Sequence, residues 1–324
     1  MSWMVILTQV LLPMALLAWL AFFPAAGWLA WALQLLSVTA ALLGIGLASL
    51  WVVPPFWVPY GYYLILLVIV ATQLLRKGTP GPGLWRSPAQ HSVIIVIAAV
   101  LGLLGGYLSW QAIEGRMLPE ETVVDIAAPF PPGHYLIAHG GSTPMINVHL
   151  GTLNPAIERF RAWRGQSKAF DILRITPMGF HKTGWQPTDP AMYTTFGVPV
   201  LSPCNGEIAL AVDGIQDMPV PQVDRDHMAG NFVAVNCGDF FVILGHFRQH
   251  SIAVTAGDRV QTGAFLGEMG NSGNTSEPHL HVHAQRGLPE DAPLSGEPLW
   301  LTINDEFPVR NDRLHIPIPP HDDQ

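Results

Sequence analysis

The first 75 residues contain no aspartate, glutamate, lysine or arginine. Before Glu114 the only such residues are Arg76, Lys77 and Arg86. A stretch so poor in charge cannot present a solvated surface, which excludes an ordinary soluble domain there. Soluble domains carry about 25 % charged residues, whereas this chain of 324 residues carries 12 %. Cysteine is scarce as well. Cys204 and Cys237 are the only two, with no Cys-x-x-Cys, which argues against a structural zinc ribbon. All 24 acidic residues but only 13 of the 16 basic ones follow residue 113, a balance of −11. That part of the chain lacks the basic face nucleic acid requires, so no nucleic-acid partner is expected.

What is present instead is apolar. Half the chain is hydrophobic (49 %), and the mean hydropathy is +0.31. Four apolar runs stand at about 3–23, 28–51, 58–75 and 92–113, and a spanning helix needs about 20 apolar residues. Trp3, Trp28, Trp51, Trp57, Tyr60 and Trp110 cluster at their ends, as interfacial belts do. The first run lacks a basic flank and is too long for the core of a signal peptide, so it reads as a retained helix. Between the third and fourth runs lie Arg76, Lys77 and Arg86, which the positive-inside rule places in the cytoplasm. Four spans then put the C-terminal part outside. Apart from His91 at a helix edge, no ionisable group lies near the spans, which argues against a transport pathway. Gly102, Gly105 and Gly106 read as a helix-packing face. The expected organisation is a transmembrane α-helical region of about four helices (1–113), a polar, proline-containing linker (114–132) and a C-terminal domain (133–324).

Short runs rich in Val, Ile and Phe recur in that domain between Gly and Pro turns, at about 135–138, 169–175, 198–201, 207–212, 232–236, 240–245, 251–254 and 279–283. This is the texture of an all-β, mainly antiparallel domain. Cys204 precedes Asn205-Gly206 and Cys237 precedes Gly238-Asp239, so each sits at a strand end beside a turn. If the strands at 207–212 and 232–236 are neighbours, the Cα atoms can approach within disulfide reach, and an oxidising compartment would keep the bond. Two separate buried thiols are the alternative.

The chemistry concentrates in Gly270-Asn-Ser-Gly-Asn-Thr-Ser-Glu-Pro-His-Leu-His-Val-His283. Its first part has the composition of a tight loop. Its second alternates imidazoles with aliphatic residues, the period of a strand, so His279, His281 and His283 share one face. Imidazole is a zinc ligand and a general base near neutral pH, so such a face is a start for a metal site.

This stretch resembles the signature of the lysostaphin-type (LytM-like) zinc metallopeptidases. Other segments are similar to that family too: Ala169-Phe-Asp171-Ile, Gly197-Val-Pro-Val200 with Cys204-Asn-Gly206, Phe241-Val-Ile-Leu-Gly-His246, and Gly257-Asp-Arg-Val260 with Leu266-Gly267. Together they run from about residue 140 to 283. The resemblance implies zinc as cofactor, Asp171 and His281 as ligands, His246 and His279 as catalytic partners, and peptide cross-links of peptidoglycan as substrate. It implies His283 beside the ligands or facing solvent.

One residue departs from the pattern. The family places a histidine four residues before the aspartate, and here Ser167 stands there. A catalytic zinc needs three protein ligands and one open position. His149, in Asn147-Val-His149, is the first candidate for the third ligand and His181 the second. The expected function is a membrane-anchored zinc metalloendopeptidase of the bacterial cytoplasmic membrane, its domain outside. His246 and His279, neutral at pH 7, would then deprotonate water and stabilise the oxyanion. The lipid bilayer and a regulatory membrane protein are the other expected partners. The alternative, raised by Ser167, is an inactive peptidase-like domain that binds the cell wall or activates another wall enzyme. His134, His139, His227, His250, His315 and His321 carry no motif and read as surface residues.

Overall fold

A computed structural model describes residues 2–75 and 88–317. The chain divides into two compact units, Met1–Glu114 and Gly115–Gln324. Arg76, Lys77, Arg86 and the cytoplasmic loop inferred from them lie outside the described residues, as does His321.

Among the described residues, the first unit contains four helices long and apolar enough to cross a membrane. They are α1 (Trp3–Phe22), α2 (Trp28–Ala48), α3 (Val58–Leu75) and α4 (Pro88–Glu114, of which Ser92–Glu114 is the apolar span). Their polar side chains bond within the unit. Gln34 ties the turn after α1, donating to Phe23 O at 3.1 Å and accepting from Ala25 N at 2.8 Å. Gln73 accepts from Trp31 Nε1 at 2.7 Å and donates to Leu20 O at 2.7 Å, linking α3 to α2 and α1. Such bonds hold helices together where no water competes. The glycines of α4 differ in role. A Cβ on Gly105 would meet Ala41 N at 2.5 Å and one on Gly102 would meet Ser37 Oγ at 3.0 Å, whereas one on Gly106 meets nothing within 4 Å. Gly102 and Gly105 thus let α4 approach α2 closely, and Gly106 has no part in that contact.

The second unit is built on one sheet, mainly antiparallel. Its strands are β1 (Val123–Ile126), β2 (Gly133–His139), β3 (Phe170–Arg174), β4 (Pro199–Leu201), β5 (Gly206–Val212), β6 (Asn231–Asn236), β7 (Phe241–Phe247), β8 (Arg259–Val260), β9 (Phe265–Glu268), β10 (Leu280–Arg286), β11 (Glu297–Ile303) and β12 (Arg313–Ile316). The order across the sheet is β12-β2-β3-β10-β7-β6-β5-β8. β11 also pairs with β10, and β1 lies parallel to β11. β4 and β9 form a separate pair. One face is the core: Phe170, Ile172, Leu244, Leu280, Val282 and Ala284 are buried together with Val233, Val235 and Val242. Each fully buried Val, Leu or Phe is worth about 1.5–3 kcal/mol. A one-residue slip of β10 would exchange Leu280, Val282 and Ala284 for imidazoles, so the register is strongly set.

Two expectations change. Residues 114–132 are not all linker, because Val123–Ile126 forms β1 and Ile126 is buried. Residues 251–254 are not a strand; Ile252 and Val254 pack against the core, but the segment lacks a ladder partner beyond Ala253 N to Leu266 O at 2.9 Å. Cys204 and Cys237 form a disulfide, with Cα atoms 5.9 Å apart, beside the Glu207↔Asn236 pair of β5 and β6.

Candidate metal centre

β10 lies between β3 and β7, and its pairing places Asp171 and Gly245 on either side of His281. On the face opposite the core, this row brings together residues far apart in sequence. His281 Nδ1 is 3.0 Å from Asp171 Oδ1. His149 Nε2 and His279 Nε2 are each 3.5 Å from that same oxygen. One ligand atom each from His149, Asp171 and His281 lie within 4.8 Å of one another.

Local irregularities aim the side chains. At His246 the β6–β7 register shifts: Phe232 pairs with Gly245 and Asn231 with Phe247, leaving His246 as the extra residue. Its φ is +64°, an uncommon conformation for a residue with a Cβ, though histidine is among those enriched there. A bulge of this kind re-aims a side chain next to a functional site. The His246 ring centroid consequently stands 4.7 Å from that of His279 and 5.8 Å from that of His281. A second bulge, on β2, sets His139 opposite Asp171.

His149 comes from a short 3-10 segment, Val148–Leu153, capped by Asn147. Thr152 Oγ1 bonds Ser167 Oγ at 2.8 Å and donates to His149 O at 2.8 Å. Ser167 therefore supports, through Thr152, the segment that presents the histidine. His181 is not among the three. Its Nε2 lies 3.2 Å from Glu277 Oε2, with Lys182 Nζ at 3.9 Å from the same oxygen.

The hydrogen bonds assign the ring protons. A carbonyl only accepts, so His246 Nδ1 donates to Ser272 O at 2.8 Å and His279 Nδ1 donates to Glu277 O at 2.9 Å. In both, Nε2 is the nitrogen left for chemistry. Burial, reinforced by the neighbouring His279 and His281, holds His246 well below the usual imidazole range. Burial also opposes charge on His279, but the charge and hydrogen bond of Asp171, with Glu277, outweigh it and raise that imidazole. Neutrality at pH 7 thus describes His246, while His279 is shifted toward its protonated form. Burial likewise disfavours the Asp171 carboxylate, yet His149, His279 and His281 hold it well below the usual range.

Several residues of the site carry no motif. His139, read as a surface residue, is held by Arg310, whose Nη2 donates to His139 Nδ1 at 2.7 Å, and its ring stands 6.0 Å from that of His149. Burial lowers His139 to about 4, and Asp171 only partly offsets this. His283 is fully buried, not solvent-facing. The period-two pattern continues through it to Gln285, a signal in the sequence; nothing comparable marks Arg310.

Residues 191–292 match the model of Peptidase family M23. The match takes in His246, His279 and His281 and begins after His149 and Asp171. No curated protein matches the chain. Among solved structures, a zinc-containing peptidase from Vibrio cholerae is 16 % identical over 52 % of this chain and 37 % of that one, with a TM-score of 0.24. Csd3 from Helicobacter pylori is 12 % identical over 60 % and 38 %, with a TM-score of 0.27. Lysostaphin is 14 % identical over 54 % and 51 %, with a TM-score of 0.24. This chain thus aligns with about half or less of the length of each.

Proposed function

We propose, from the premise that residues 191–292 form a lysostaphin-like Peptidase M23 domain, that the chain is a membrane-anchored zinc metalloendopeptidase acting on peptide cross-links of peptidoglycan. M23 is a cell-wall-lytic family. The apolar helices would anchor it in a bacterial cytoplasmic membrane, with the β-unit outside. The observation that carries the reading is the meeting of His149, Asp171 and His281, flanked by His246 and His279. Two imidazole nitrogens and a carboxylate oxygen are the donor set zinc takes when it keeps an open position. His149 Nε2, Asp171 Oδ1 and His281 Nδ1 would hold the ion, which supplies Lewis acidity to a scissile carbonyl and to water. His246, neutral, keeps an Nε2 lone pair that takes the proton of the attacking water. His279, whose Nδ1 donates to Glu277 O, turns Nε2 toward the site, where its protonated form would hydrogen-bond the developing oxyanion and pass that proton to the leaving amine. Opposite displacement of two neighbouring groups is the usual basis of such a division of roles.

The test uses the full-length protein in detergent: zinc content, and cleavage of cross-linked peptidoglycan fragments. Near-stoichiometric zinc that is lost in His281→Ala, together with cleavage abolished by chelation, supports the reading. A protein that binds no zinc between pH 6 and 8 overturns it. Ser167, where the family pattern has a histidine, favours the second reading, an inactive domain that binds the wall or activates another wall enzyme. Zinc uptake and wall binding without any cleavage would select it. A regulatory membrane partner is compatible with either.

A further inference from the structure

The row of polar side chains on β10 runs on past the three ligands. His281 Nε2 lies 3.0 Å from His283 Nδ1, and His283 Nε2 lies 3.3 Å from Gln285 Oε1. The Gln285 amide ends the row, donating from Nε2 to Gly287 O at 2.6 Å and to Pro293 O at 2.8 Å. His281 is 3 % exposed, and His283 and Gln285 are 0 % exposed, so water does not compete for these bonds.

Donor and acceptor rules then leave one arrangement. Carbonyls only accept, so the end of Gln285 facing Gly287 and Pro293 is its NH2, and Oε1 faces His283. An amide oxygen only accepts, so His283 carries its proton on Nε2. His283 is fully buried and its ring nitrogens face an imidazole and an amide oxygen rather than a carboxylate, so no counter-charge supports a second proton and its Nδ1 is a lone pair. His281 must therefore donate from Nε2. We propose that Gln285 and His283 are positioning residues that hold His281 in the tautomer offering Nδ1 as the metal ligand; this rests on the zinc reading above. That Nδ1 faces Asp171 Oδ1 at 3.0 Å. Two acceptors at that distance require a cation between them, or a proton in its absence.

Space for the relay is built into the fold. A Cβ on Gly165 would strike Gln285 Oε1, and one on Gly296 would come within 2.6 Å of Gln285 Nε2. The same device serves the other ligand histidine. Asn147 Nδ2 donates to Gly141 O and Ala169 O, both at 3.0 Å, which turns its Oδ1 to accept from His149 Nδ1 at 3.0 Å. His149 is left with Nε2 as its ligand atom. Both ligand tautomers thus trace back to a buried amide whose orientation two backbone carbonyls set. Groups that orient metal-bound histidines typically contribute roughly 10–100-fold in metal affinity.

The experiment labels histidine nitrogen with 15N in the full-length protein in detergent, zinc-loaded and chelated, and measures zinc affinity for wild type, Gln285→Met, His283→Leu and His283→Gln. The wild-type spectrum should place the His283 proton on Nε2 in both states. Zinc affinity should fall by roughly 10–100-fold in Gln285→Met and His283→Leu. It should recover substantially in His283→Gln, whose amide oxygen restores an acceptor for His281 Nε2–H. A His283 proton on Nδ1 overturns the proposal whatever the variants do. So does wild-type affinity in both Gln285→Met and His283→Leu. If Gln285→Met does not fold, His283→Leu and the wild-type spectrum decide. A wild type that takes up no zinc would sink the metal reading, while the His283 tautomer would still decide the relay.

Discussion

Removing the Cys204–Cys237 disulfide should destabilise the β-unit by about 3.7 kcal/mol on the chain-entropy relation, for a bond that spans 33 residues. The bond lies at the end of the β5–β6 hairpin, whose strands pair from Glu207↔Asn236 to Val212↔Phe232. The native state loses little, because the ladder and the core hold both strand ends where they are; both cysteines pack against buried hydrophobic residues. The unfolded state gains the freedom of the opened loop, and that is where the loss arises. Domain stabilities run to about 5–15 kcal/mol, so the loss is a large fraction of the total. Cys204→Ala/Cys237→Ala should be compared with the oxidised full-length chain by pulse proteolysis in urea, following the β-unit alone. With a urea slope of about 2 kcal/mol/M the midpoint should fall by nearly 2 M. A shift below about 0.3 M would refute the reasoning, since it would mean that the unfolded chain already holds these two segments together. Alkylation of the denatured, unreduced wild type checks the premise: two free thiols in protein from intact cells would remove both the bond and the support it lends to an oxidising compartment.

Three further outcomes are expected. His149→Ala should reduce zinc occupancy about as much as Asp171→Ala, whereas His181→Ala, which removes a partner of Glu277, should leave it intact; metal analysis of the three variants separates the two candidate ligands. In chelated protein His139 and His149 together should cost the β-unit up to about 4 kcal/mol between pH 7.5 and 5, and His246 and His283, also held low by burial, act in the same sense. Burial holds His139 at about 4 and His149 at about 3 against about 6.5 unfolded. The unfolded chain therefore binds protons first, and stability is full above pH 6.5 and falls as pH drops toward these values. His279, raised, works in the opposite sense, adding stability below 6.5 that is lost as pH rises through its folded value; a urea midpoint that does not fall by pH 5 contradicts the net sign. Gly105→Leu should disrupt the contact of α4 with α2, at a cost of roughly 1–3 kcal/mol or more, and Gly106→Leu should be tolerated; thermal melts in detergent distinguish them.

How much of this was legible in the sequence follows from how local each cause is. An apolar run of about 20 residues satisfies its own backbone as a helix, so the four helices could be read without knowing their neighbours. Alternation along His279–His283 needs only the strand period to put the imidazoles on one face and Leu280 and Val282 in the core. The turn signals after Cys204 and Cys237 sufficed to suggest their pairing. β1 and β12 could not be read this way. They are short, sit among prolines or polar residues, and exist as strands because β11 and β2 offer them an edge. Ile252 and Val254 show the converse, apolar residues that reach the core without a ladder to join.

The sequence by itself determined the classes of chemistry available: a charge-free apolar region, an all-β region, and an imidazole face on one strand beside a loop of glycine, asparagine and threonine. Tertiary structure decided which other groups meet that face. The His149–Asp171–His281 meeting depends on β3 pairing with β10 from 110 residues away and on Asn147 tying its segment to Ala169. Arg310 reaches His139 across 171 residues, and no local pattern encodes such a contact. Nor could spacing tell which nitrogen of His281 carries the proton. In the proposed relay, that follows from the Gln285 amide, whose orientation comes from Gly287 and Pro293 and whose room comes from glycines at 165 and 296, all brought together only when the chain has folded.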